Sequence, residues 1–236
     1  LACDIDEFWS RGAFVAKLVF MSGVRSDEVT MLKLFYAPNT CALASHIALA
    51  EAGAEYEAVQ LNFRTDDQRK PAYLAINPKG RVPALVTERG VLTETPAILA
   101  YVAQTFPAAK LAPMGDAFAF ARAQSFNSYL CSTVHVAHAH RMRGYRWVDD
   151  AAAIAAMQRK VPETVGECFG LIEREMFEGP WVLGQTYSIC DPYLFTLGQW
   201  LEGDGVDIAR FPKVRDHHVR MAARAAVKRA IAEETN

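Results

Sequence analysis

The sequence predicts an α/β domain, ordered strand–helix–strand and then strand–strand–helix, joined to an all-helical domain. Three observations carry this reading. Leu32 to Tyr36 alternates in hydropathy and is followed by an alanine-rich stretch with helical spacing. Asn77 to Pro96 reads as loop, strand, tight turn, strand and helix start. After Gly115 the periodic segments are helical, and none makes a convincing strand. The expected organisation is an extension over 1–30, the α/β domain over 31–108, a linker over 109–116 and the helical domain over 117–236.

Residues 1–30 do not match the rest of the chain. Phe14 to Met21 is a short apolar run after Arg11, but no clean cleavage site of small residues follows it. The stretch is read as an extension upstream of a natural start at Met31. Leu32 to Tyr36 is the first strand, broken by Ala37-Pro38-Asn39-Thr40. Cys41 to Ala52 is a helix with Leu43, Ile47 and Ala50 on one stripe, and Gly53 stops it. Val59, Leu61 and Phe63 alternate as a second strand. Arg64 to Ala72 is a polar loop or short helix.

Asn77-Pro78 and Lys79-Gly80 are loop punctuation. Pro83 opens an apolar run, where proline is tolerated as the first residue of a strand, and the bond before it is a candidate cis bond. Glu88-Arg89-Gly90 is a hairpin loop. Thr95-Pro96 fits an N-cap followed by proline at the first helical position. The helix from Pro96 to Phe106 turns Ile98, Leu99, Val102 and Phe106 inward. Pro107, Pro113 and Gly115 mark the linker. Helices are expected over 117–146, 150–177, 189–202 and 212–233.

The totals exclude some classes of function. A formal net charge of -2 gives no sign of a nucleic-acid partner. No apolar run approaches the roughly 18 residues needed to cross a bilayer. The 5 cysteines are widely spaced, with no C-x-x-C, which fits neither a disulfide framework nor a zinc site. A reducing compartment, the cytoplasm, is the simplest inference.

Several side chains could carry chemistry. Cys41 stands where a loop gives way to a helix, and the helix N-terminus would lower its pKa. The bland alternative is a small buried hydrophobe. Tyr36 and Thr40 are nearby hydroxyls. Ser128, Ser132 and His135, at i, i+4 and i+7, share one helix face. Cys131, His135 and His138 also share a face, but no fourth ligand is evident and no metal is expected. Arg141, Arg143 and Arg146, mixed with Tyr145 and Trp147, are a solvated helix end, a pocket wall or a dimer contact. Ser188-Ile189-Cys190-Asp191 reads as a capping box, and Tyr193, Leu197, Trp200 and Leu201 as the buried stripe behind it.

Ile76-Asn77-Pro78-Lys79-Gly80-Arg81-Val82-Pro83-Ala84-Leu85, followed by Leu92-Thr93-Glu94, resembles the glutathione-binding core of bacterial glutathione transferases. The beta class, with a cysteine near its N-terminus, is the nearest likeness. Lys33 to Gly53, the helix around His135 and Ser188 to Trp200 agree with it in order, so the resemblance covers about Met31 onward. It implies a thioredoxin-like first domain. It implies glutathione as substrate, bound by Tyr36, Cys41, Val82, Pro83, Glu94, Thr95, Ser128, Ser132 and His135, with Cys41 and His135 catalytic. Val82 would offer backbone groups to the cysteinyl part, and Glu94 and Thr95 would hold the γ-glutamyl end. Asp66 and Ser128 depart from residues common in relatives, lysine and asparagine.

The implied activity is addition of the glutathione thiolate to small electrophiles, a detoxification reaction, with thiol–disulfide exchange through Cys41 as a further activity. The alternatives are a glutathione-dependent disulfide reductase, peroxidase or dehalogenase, and a binding protein without turnover. A homodimer is expected, with Phe118, Phe120, Phe126 and Tyr129 as spare apolar surface.

Overall fold

The computed structural model describes residues 31–235, and the predicted extension over 1–30 lies outside the described residues. Strand β1 (Leu32–Tyr36), helix α1 (Ala42–Glu51) and strand β2 (Tyr56–Gln60) form the first unit. A one-turn helix α2 (Pro71–Leu74) precedes the hairpin of β3 (Ala84–Thr87) and β4 (Gly90–Thr93), and helix α3 (Thr95–Thr105) follows. The sheet order is β2-β1-β3-β4. β1 is parallel to β2 and antiparallel to β3, with Leu34 between Ala58 and Leu85. This mixed sheet is the thioredoxin-like arrangement expected from the sequence.

The second strand ends earlier than its alternation suggests. At Asn62 the chain leaves the sheet edge, because the Asn62 side chain accepts from Arg64 N at 2.9 Å and Asp67 accepts from Asn62 N at 2.8 Å. Leu61 stays buried with Tyr73 and Ala84, while Phe63 enters a 3-10 turn and is exposed. The hairpin loop is only Glu88 and Arg89, since Gly90 already pairs with Thr87. Thr95 is the first helical residue, and the cap position falls on Glu94 at φ 72°.

The helical part begins with α4 (Ala117–Tyr129), whose N-cap Asp116 accepts from Phe118 N and Ala119 N. A π turn over Leu130–Val134 joins it to α5 (His135–Arg143). Then come α6 (Ala151–Leu171), α7 (Cys190–Gly198), α8 (Pro212–Ala223) and α9 (Ala225–Thr235). The single helix expected over 212–233 is broken at Arg224, which is extended at ψ 140°. Its guanidinium donates to Glu51 Oε2 at 2.8 Å and lies 4.1 Å from the Tyr187 ring centroid. That anchorage to α1 turns the two helices apart.

Helix α1 is buried from Ala42 to Ala50, not along one stripe only. It packs against β1 and α3 and also against α7 and α9, and an apolar helix enclosed on all sides has no polar face to present. His46 is its one ionisable buried residue. Its Nδ1 meets Glu234 Oε1 at 3.1 Å and its Nε2 meets Glu233 Oε2 at 2.8 Å, both from α9. Leu34, Leu49, Leu85, Ile98 and Leu99 from the sheet and its helices join Leu130, Phe169, Ile172 and Leu194 in one continuous core.

The capping box at α7 is present. Ser188 Oγ accepts from Cys190 N at 3.2 Å, and Asp191 Oδ2 accepts from Ser188 N at 2.6 Å. Asp191 is fully buried, and its other oxygen accepts from Val182 N at 2.9 Å and pairs with His217 Nε2 at 3.0 Å. One carboxylate thus ties three segments. Trp200 departs from the buried stripe expected for it: it follows the end of α7, half-buried against His135 and His138.

Candidate active site

A rigid loop sets the site. Asn77 is buried, and its Nδ2 donates to Arg81 O at 2.6 Å, which also accepts from Tyr73 OH at 2.6 Å. Gly80 stands at φ +60°, where a Cβ would lie 3.0 Å from the Gln68 carbonyl, so only glycine fits. The chain then passes through a cis Val82-Pro83 bond into β3. Opposite, Cys41 occupies the cap position of α1, and its thiol donates to Val82 O at 3.6 Å.

These elements face α5 across a cleft with two lobes. Both lobes are lined by Cys41, Arg81, Val82, His135, Arg143 and Arg146. One lobe adds Pro83, Glu94, Thr95 and Cys131, the other Arg69, His138 and Trp200. Cys41, Val82, Pro83, Glu94, Thr95 and His135, all singled out from the sequence, therefore come together. Thr40 lines the second lobe as well.

Three expected residues do not join them. Tyr36 is buried in the core, with its hydroxyl donating to Glu233 O at 3.1 Å. Ser128 and Ser132 are exposed, and Ser132 Oγ bonds back to Ser128 O at 2.8 Å. The π turn explains the loss: His135 N bonds to Leu130 O, five residues back, and the extra residue shifts the faces. Cys131 takes the cleft side in place of Ser132. Arg81, inside the loop motif, is a cleft residue that sequence reading passed over; its place before Val82 was the available signal. Arg141 is turned away to Asp204 at 3.4 Å, packed so closely that a Cβ at Gly203 would lie 2.2 Å from it.

The electrostatics overturn the expectation for Cys41. Burial pushes its thiol above the ordinary range, and this outweighs the opposing pulls of Thr95 and the Arg143 charge. The net direction is opposite to the lowering expected from the helix N-terminus. His135 moves the other way, down to about 4, because burial and then the charges of Arg143, His138, Arg81 and Arg146 disfavour a further cation. It is a neutral imidazole at neutral pH. Glu94, exposed, is paired with Lys79 at 2.5 Å. Among the described residues, no cluster of three or more His, Cys, Asp or Glu is placed to hold a metal.

The site is thus a thioredoxin-like sheet with a cysteine at the start of its first helix and a cis-proline loop beside it. The family model described as "Glutathione S-transferase, N-terminal domain" matches residues 30–104. Glutathione S-transferase GstA of Escherichia coli O157:H7 is 30% identical over 206 residues, covering 86% of this chain and 98% of that one. A solved glutathione transferase homologue from Sulfitobacter, with bound glutathione, is 47% identical at a TM-score of 0.84, covering 86% and 98%. A solved beta-class enzyme from Sphingomonas chungbukensis is 33% identical at a TM-score of 0.75, again covering 86% and 98%. The chain belongs to the glutathione S-transferase family.

Proposed function

We propose that this protein is a cytoplasmic glutathione transferase that adds the glutathione thiol to a small electrophile. The observation that carries the reading is the convergence of Cys41, Val82, Pro83, Glu94, Thr95 and His135 on one cleft. The domains divide at 109–116. Val82 offers backbone groups to the cysteinyl part, and Thr95 with the first turn of α3 takes a carboxylate. Glu94, once free of Lys79, takes the ammonium. Ser128, Ser132 and Tyr36 have no part in this cleft.

The glutathione thiol loses its proton to water; the neutral His135 donates a hydrogen bond to the resulting thiolate, and the arginines favour it. The thiolate attacks an electrophilic carbon: a C–S bond forms and a leaving group departs with its electron pair. Cys41, kept protonated by burial, suits the role of hydrogen-bond donor to that sulfur better than that of nucleophile.

The test is calorimetric titration with glutathione, followed by conjugation to 1-chloro-2,4-dinitrobenzene. Binding and a rate that saturates in glutathione are expected; failure to bind glutathione would reject the reading. Cys41→Ser separates the activities. Conjugation is expected to survive it within about tenfold, as for loss of one hydrogen bond, while any disulfide exchange collapses.

A further inference from the structure

The arginines of the cleft exceed what glutathione can satisfy. Arg81 stands on the loop wall; Arg143 ends α5, and Arg146 ends the 3-10 turn after it. Gly144 makes that turn, packed so that a Cβ would lie 3.2 Å from Ile154. All three arginines line both lobes, so they sit at the junction beside Cys41. None forms an ion pair among the described residues. The one acid in the lining is Glu94, and Lys79 holds it. Arg141, by contrast, lies 3.4 Å from the buried carboxylate of Asp204, which it shares with His138.

Arg143 is half-buried, and a partly buried cation without a counter-charge is costly unless a ligand supplies one. Glutathione brings two carboxylates and, once ionised, one thiolate. One carboxylate lies at Thr95 in the pose proposed above, and the other is placed here along the loop wall, where Arg69 and Arg81 line the cleft. Arg143 and Arg146, on the opposite wall, share at most the single charge of the thiolate between them. Exposed Tyr145 and Trp147 stand beside them and, with Trp200, offer flat apolar surface.

We propose that Arg143 and Arg146 bind a carboxylate of the second substrate, so that this transferase selects acidic electrophiles with a flat, conjugated body. The proposal rests on the transferase reading above. With an unsaturated keto acid, the glutathione thiolate adds to the alkene carbon β to the ketone. The C–S bond forms, the π pair moves to the enolate oxygen, and a proton from water restores the ketone. Nothing leaves, and no oxidant or reductant is required.

The probes are 3-benzoylacrylate and its methyl ester, with kcat/KM for each divided by its uncatalysed rate with glutathione. The acid is expected to exceed the ester by about tenfold or more, as for one charge-assisted contact. Added salt and Arg143→Gln or Arg146→Gln should each shrink that ratio; because it is a ratio, loss of folded enzyme cancels. Equal values for acid and ester, or variants that raise the KM for glutathione and leave the ratio intact, would overturn the proposal. Binding of the unreactive 3-benzoylpropionate and its methyl ester, measured by calorimetry, keeps the two readings apart. Preferential binding of the acid without turnover of either probe would remove the transferase reading and keep the acid site. Equal binding with turnover of both would do the reverse.

Discussion

At the scale of single residues, the two groups nearest the chemistry have pKa values that move in opposite senses. Burial raises the Cys41 thiol, so its alkylation by iodoacetamide should be slow at neutral pH and keep climbing through the ordinary thiol range. A plateau near neutrality would restore the thiolate. His135 in the folded protein titrates near 4 against an ordinary 6.5. The unfolded chain therefore binds more protons between these values, and stability falls as pH drops from 6.5 toward 4. The contribution is at most about 3 kcal/mol. Chemical denaturation of His135→Gln should show a flatter pH profile over that window than the parent; superimposable profiles would sink the assignment. The cleft positions of Cys41, Val82, Pro83, Glu94 and Thr95 were legible through the family resemblance, while loop punctuation and a helix start gave only the turn, strand and helix that carry them. The environment of Cys41 was not legible, because residues far along the chain, Thr95 and Arg143 among them, shape it. Arg81 lies inside the loop motif, but neither its spacing nor the resemblance says that its side chain faces the cleft.

At the scale of elements, the strand and helix order was legible from periodicity and from glycine and proline placement. The misses share a form: each is a local departure from a regular pattern. Asn62 and Asp67 pull the chain off the sheet before Phe63. Arg224 divides the last helix. The π turn at Leu130–Val134 rotates Ser128 and Ser132 out of the cleft, and a period of 3.6 residues carries no trace of it. The cap of α7 was legible, but its reach was not, since His217 and Val182 also depend on Asp191. Removing a buried, multiply bonded carboxylate leaves several groups unpaired. Asp191→Ala should cost about 3–5 kcal/mol. Denaturant melts of Asp191→Ala and the milder Asp191→Asn should rank parent, Asn, Ala, while glutathione affinity of the folded fraction stays close to the parent value. An unshifted midpoint for Asp191→Ala would contradict its role.

At the scale of the whole molecule, association and assembly of the core are at issue. A two-fold homodimer is the expected state, and its apolar contribution is narrower than the sequence suggested. Phe126 belongs to the core, whereas Phe118 at the start of α4 is 77% exposed. Phe118→Asp should shift sedimentation toward monomer; a parent protein monomeric at micromolar concentration would refute the dimer. The clamp on His46 bears on how the protein is made. The carboxylate of Glu234 lies 188 residues after the imidazole it holds. A ribosome adding roughly 5–20 residues each second needs about ten to forty seconds to cover that distance. Throughout that interval α1 has emerged but α9 does not yet exist, and the side of α1 that α9 will cover meets water or a chaperone. The amino-terminal half of this enzyme is therefore synthesised first and finished last.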